Sequence, residues 1–201
     1  MTSPPPLPAE IPDAARTVPA RARPGRASRE SAARHGVADA GPLRLVIRTD
    51  GAARGNPGAA ACGAVLIDAA RPDARDPDAP PLAVVARALG TRTNNVAEYA
   101  GVVLALRLAR RLGAAEVDLI LDSKLIVEQL NGRWRVRDAK LAGLFAEATD
   151  LLRGFRSWSA THEPRARNRA ADALANLALD DPAAAAAAEA RLVAPASRRP
   201  A

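Results

Sequence analysis

The chain has one cysteine, two histidines, two lysines, and no apolar run approaching the roughly 18 residues needed to span a bilayer. Each scarcity removes a class of function. Cys62 lies in the alternation AACGAVLID without a partner, which excludes an intramolecular disulfide and a Cys-based zinc site and leaves core packing as its expected role. The N-terminus, MTSPPPLPAEIPDAARTVPA, lacks the apolar segment of a signal peptide, so a cytoplasmic protein with no membrane association is expected. A length of 201 residues accommodates one domain of ordinary size plus tails, and two full domains are not expected.

What is abundant is arginine. The formal charge is +7, which suits a partner made of phosphates, but 27 of the 29 basic residues are Arg and Ala is frequent throughout. Compositional bias accounts for much of that excess. Residues 42–181 carry 20 basic and 17 acidic groups, so the charge is diffuse; cations bound to four of those acids would leave 20 against 13.

Residues 1–41, rich in Pro, Ala, Arg and Ser without apolar periodicity, are expected to be a disordered tail. Residues 182–201 read as an Ala-rich C-terminal tail whose DPAAAAAAEARLVA has helix propensity but almost no apolar face. Between them, LRLVIRTD (43–50), ACGAVLID (61–68) and LAVVARAL (82–89) read as an antiparallel meander, its first two strands joined by a Gly and Pro turn. The pattern then becomes helix (95–111), strand (116–121), helix (123–131), helix (138–153), strand (155–161) and helix (168–179). Right-handed crossovers favour parallel pairing for the later strands. The expected fold is therefore α/β, a five-stranded mixed sheet in the order 3-2-1-4-5 flanked by helices.

That order decides where four carboxylates go. Strands one and four become parallel neighbours, so Asp50 and Asp122, each at the carboxyl end of a strand, lie side by side where ligands of open α/β sheets gather. Glu98 in the first helix and Asp172 in the last can complete a cluster. Helix capping or plain surface exposure would explain any one of these acids alone. Four at one sheet edge repel one another unless cations sit among them, and a carboxylate-only donor set suits Mg²⁺ or Mn²⁺ better than zinc. Two such ions, roughly 3.5 to 4 Å apart, can clamp the attacking and leaving oxygens of a phosphoryl displacement.

The segments TDGAARGNPG, TNNVAEYAGVVLAL, LDSKLIVEQLNGRW and PRARNRAADALANLA together resemble type 1 ribonuclease H, in particular a bacterial branch in which this domain can precede a phosphatase domain. The resemblance covers residues 43 to about 179. It implies hydrolysis of the RNA strand of an RNA–DNA hybrid to 5′-phosphate and 3′-hydroxyl ends, by a monomer holding two Mg²⁺ ions, with Mn²⁺ as a substitute. Asp50 would bridge both ions, Glu98 and Asp122 would complete one site, and Asp172 the other. With about 20 residues after the last core helix, no fused phosphatase is expected. A hybrid-binding module without turnover, and a DNA-acting nuclease or integrase of the same superfamily, stay open as alternatives.

The resemblance also marks substrate contacts. Gly51 to Asn56, Asn94 and Asn95 match positions that touch the hybrid, where amides and Asn side chains suit a 2′-hydroxyl; the two asparagines could equally cap the helix they begin. Lys124, Trp134 and Asn168 join this set. GAARGNPG lacks the Gly-Lys-Ser/Thr ending of a P-loop. His162, ten residues before Asp172, matches a loop histidine that assists proton transfer or product release, and Arg165 is the alternative assistant. Arg133, Arg135 and Arg137 alternate beside Trp134, aimed alike toward DNA-strand phosphates if extended, or forming a basic surface strip with the indole buried. The short link between the second and third helices departs from the handle-bearing form of the family, so hybrid affinity must come from elsewhere or be weak. Trp158 is expected in the core.

Overall fold

The computed structural model describes residues 41–190, so the tail expected at 1–41 lies almost wholly outside it, as do residues 191–201. Strands β1 (Arg44–Gly55), β2 (Gly58–Asp68) and β3 (Ala83–Arg92) form the meander. They are followed by α1 (Asn94–Arg111), β4 (Glu116–Leu121), α2 (Lys124–Leu130), α3 (Ala139–Arg153) and β5 (Ser157–His162). A short 3₁₀ turn (Arg165–Arg167) leads to α4 (Arg169–Asp180) and α5 (Pro182–Ala190). The sheet order is β3-β2-β1-β4-β5, antiparallel within the meander and parallel from β1 to β4 to β5, as the alternation of elements implies.

Both faces of the sheet are covered, which is why the central strands read as nearly continuous apolar runs. Leu45, Ile47, Leu66 and Leu119 pack under Tyr99, Val102 and Leu106 of α1. On the other face Val46, Val65, Ile67 and Ile120 meet Leu174 of α4 together with Ala74 and Ala79 of the loop between β2 and β3. Gly63 allows α4 to lie directly on the sheet, since a Cβ there would stand 2.2 Å from the Ala171 carbonyl oxygen.

Three expectations are corrected. The Gly, Asn and Pro run does not end β1 at Asp50: pairing with β2 continues from Leu45↔Asp68 to Gly55↔Gly58, and only Asn56 and Pro57, joined by a cis peptide, form the turn. The small residues of GAARG permit extended antiparallel pairing, so Asp50 sits within a strand, one position past the last rung with β4, Thr49↔Leu121. Trp158 is exposed, because β5 is an edge strand with a single neighbour in the sheet. Finally, residues 182–190, read as tail, form α5, which buries Ala185 against Ala61, Ala86 and Ala178. Its apolar stripe is made of alanines, too small to register as a face in the sequence. No helix among the described residues is long and apolar enough to cross a membrane.

Candidate active site

The site is built where β4 stops and β1 continues. Asp50 is 1 % exposed; its Oδ1 accepts from the Gly51 amide at 2.8 Å. Asp122 follows β4 directly, and its Oδ1 accepts from Asn168 Nδ2 at 3.1 Å, the same Nδ2 donating to the Thr49 carbonyl at 2.8 Å. Asn168 is buried and so fastens the acid after β4 to the backbone of β1. Glu98 comes within reach because α1 crosses β1 at Gly51, where a Cβ would lie 2.3 Å from the Glu98 amide nitrogen. Its Oε1 accepts from Asn94 Nδ2 at 2.8 Å. Asp172, in the first turn of α4, accepts from Asn176 Nδ2 at 3.1 Å.

Arg165 reaches into this corner. Its guanidinium pairs with Asp172 and places Nη2 3.7 Å from Asp50 Oδ2. Among the described residues no three Asp, Glu, His or Cys side chains are drawn together as a ready cation cage. The carboxylates nonetheless feel one another. Burial, and then the charge of Asp122 and a hydrogen bond with Asp172, push the Asp50 carboxyl from its ordinary value up to about 8. Burial also raises Glu98, against hydrogen bonds from Ser123 and Asn94. Asp50 Oδ2 and Asn168 Oδ1 are buried and accept no hydrogen bond from the protein, Arg165 standing off at ion-pair distance from the former. Orphaned oxygens on a destabilised carboxylate and its neighbour suit a hard cation.

The remaining expected residues divide into those at this corner and those apart. Asn56 Oδ1 accepts from the Asn94 amide at 3.2 Å, which ties the hairpin tip to the start of α1 and brings Asn56, Asn94 and the exposed Asn95 to one margin, whereas Gly51 is buried farther along β1 against Glu98. The cap of α1 is Thr93, so neither asparagine serves as one. His162 ends β5 with Nε2 3.2 Å from the Asp122 carbonyl oxygen, to which it donates. Lys124 is exposed at the first position of α2. Trp134 is exposed, with Arg133, Arg135 and Arg137 around a separate depression of about 410 Å³. Those arginines are not equivalent, because Arg133 is turned back onto Glu128. Sequence reading missed Arg48 and Glu163; the only signal was a charged residue inside the apolar run RLVIRTD.

This fold and corner carry a recognisable family signature. Residues 48–178 match a family model described as reverse transcriptase-like. A bifunctional protein of Mycobacterium tuberculosis is 45% identical over 148 residues, 74% of this chain and 39% of that protein. The ribonuclease HI of Halobacterium salinarum is 45% identical over 132 residues, 66% of this chain and 62% of its own length. Its crystal structure superposes with a TM-score of 0.62 at 43% identity, covering 69% of this chain and 98% of that one. The RNase H domain of the M. tuberculosis protein gives a TM-score of 0.63 at 45% identity, covering 68% and 99%. An RNase H1 solved with an RNA/DNA hybrid gives 0.61 at 34%, covering 69% and 98%. The chain belongs to the type 1 ribonuclease H family. It spans about two fifths of the length of the mycobacterial relatives it matches.

Proposed function

We propose that this protein hydrolyses the RNA strand of RNA–DNA hybrids, acting as a monomer with two divalent cations and leaving 5′-phosphate and 3′-hydroxyl ends. The observation that carries the reading is the corner where buried Asp50 and half-buried Asp122, Glu98 and Asp172 meet, with Asp50 Oδ2 and Asn168 Oδ1 left without a hydrogen-bond donor, in a chain of this family. Asp50 would hold both ions, Glu98 and Asp122 one of them, and Asp172 the other. Bound there, Mg²⁺ or Mn²⁺ would neutralise the carboxylates and stabilise charge on the attacking and leaving oxygens of an in-line displacement.

The chain's own residues do the rest. The margin formed by Asn56, Asn94 and Asn95 offers backbone and amide groups to a 2′-hydroxyl, the feature that separates RNA from DNA, while the buried Gly51 amide is committed to Asp50. Asn168 orients Asp122. Arg165, already among the carboxylates, is the better placed of the two assistants and supplies positive charge to the leaving phosphate, while His162 is engaged by the Asp122 carbonyl. Lys124, Arg135, Arg137 and Trp134 extend the basic surface available to the strands.

The test is cleavage of a hybrid labelled on its RNA strand, with Mg²⁺ or Mn²⁺, by wild type and D50N, beside duplex DNA and duplex RNA. Metal-dependent cutting of the hybrid alone, absent in D50N, is the expected result. Binding without cutting would make the protein a hybrid-binding module, and cutting of duplex DNA would overturn the substrate assignment.

A further inference from the structure

Arg48 is the largest fully buried side chain of the described residues, 1 % exposed, in a face otherwise made of Val46, Val65, Ile67 and Ile120. An apolar residue would fill that position at less cost, since a buried charge loses its hydration and an ion pair seldom recovers it. The guanidinium is committed to two loops at once. Nη1 donates to Glu163 Oε2 at 3.0 Å and to the Arg167 carbonyl at 3.1 Å; Nη2 donates to the Arg75 carbonyl at 2.8 Å. Glu163 in turn accepts from Arg167 Nε at 3.2 Å, and its amide donates to the Leu121 carbonyl at 2.9 Å.

These bonds lie at both ends of the segment that carries Arg165. One end is held by Glu163, the other by Arg167 and by Asn168, whose Nδ2 grips β1 at the Thr49 carbonyl. Arg48 and Asp50 are two positions apart on β1 and therefore project from the same face. We infer that Arg48 is a positioning residue that clamps the 163–168 segment to β1, and thereby fixes where Arg165 stands relative to Asp50 and Asp172. The planar fork is what the task demands, because one cation must satisfy a carboxylate and two carbonyls in different directions. The inference rests on the proposed hydrolysis for its consequence in turnover, and on geometry alone for the clamp.

The experiment compares wild type, R48M, R48K and E163Q. Hybrid cleavage gives kcat and KM well below the melting temperature, and amide hydrogen exchange compares residues 163–168 with α1. R48M leaves Glu163 its partner Arg167, so no charge is orphaned. Its kcat should fall about tenfold or more with KM nearly unchanged, as expected for a displaced catalytic group. Exchange should quicken in 163–168 and stay as in wild type in α1. R48K should recover only part of the rate, and E163Q should show a smaller loss of the same kind. It also serves if R48M does not fold. Unchanged kcat in a folded R48M or E163Q, or exchange quickened equally in α1, would overturn the clamp. If wild type cuts no hybrid, the hydrolysis reading fails, and the exchange contrast still decides the clamp.

Discussion

Asn168 donates to Asp122 Oδ1 at 3.1 Å and, from the same nitrogen, to the Thr49 carbonyl at 2.8 Å. A buried amide thus joins a residue after β4 to the strand that carries Asp50. N168D keeps the shape and sets a second carboxyl oxygen against Asp122. Hybrid cleavage should drop at least about tenfold, with a stability loss of about 1–3 kcal/mol measured by denaturant titration. Wild-type turnover would show that Asp122 needs no such support.

The Asp50 carboxyl, pushed up to about 8, keeps its proton in the folded chain over a range where the unfolded chain has lost it. Between an ordinary value near 3.8 and about 8, the folded state binds more protons, so stability without metal falls as pH rises through that window. D50N should remove most of this slope. Its metal-free Tm should exceed that of wild type at pH 8, and the difference should vanish toward pH 4. Added Mg²⁺ should raise the Tm of wild type more than that of D50N, because only the former keeps the complete donor set.

Gly51 sets the separation of β1 and α1. A methyl group at this position would meet the Glu98 amide nitrogen at 2.3 Å, and backbone cannot yield as a flexible side chain does. G51A should therefore cost about 1–3 kcal/mol and displace Glu98. Lost cleavage in a variant that remains folded at the assay temperature is the expected observation; a variant with wild-type stability and rate would contradict the packing argument.

Arg165 competes for the carboxylates that would hold a cation. Its side chain is 68% exposed, so R165A should change stability by less than about 1 kcal/mol. Mg²⁺ titrated calorimetrically should bind R165A more tightly than wild type, while turnover on hybrid falls. Weaker Mg²⁺ binding would indicate that Arg165 organises the acids instead of occupying them.

Glu189 of α5 accepts from the Ala86 amide at 2.8 Å and pairs with Arg87 at 2.6 Å, covering part of β3, an edge of the sheet. E189A should lower stability by about 1–2 kcal/mol and leave kcat on hybrid unchanged, since α5 lies away from the carboxylates. A changed kcat would connect that edge to the site.

Much of this architecture was legible in the chain. Apolar periodicity and the Gly and Pro breaks placed the ordered elements between Leu43 and Asp180, and crossover handedness ordered the strands, because these follow from local sterics and burial of one face. The four acids were legible through their settings, Asp50 and Asp122 after apolar runs, Glu98 and Asp172 in helical segments. The end of β1 was not, since Gly and Ala serve a turn or an antiparallel ladder equally well. Nor was the docking of α5, whose alanines look featureless until Ala61 and Ala86 lie beneath them.

By itself the sequence determined the strand order, the family and which four acids are candidates, since each is written in residue type and spacing over short stretches. Tertiary structure alone decided how they are held: Arg48 buried under two loops, Asn168 between Thr49 and Asp122, and Arg165 between Asp50 and Asp172. Those contacts join residues up to 119 positions apart. Their geometry depends on how closely helices and loops settle on the sheet, which no local pattern encodes.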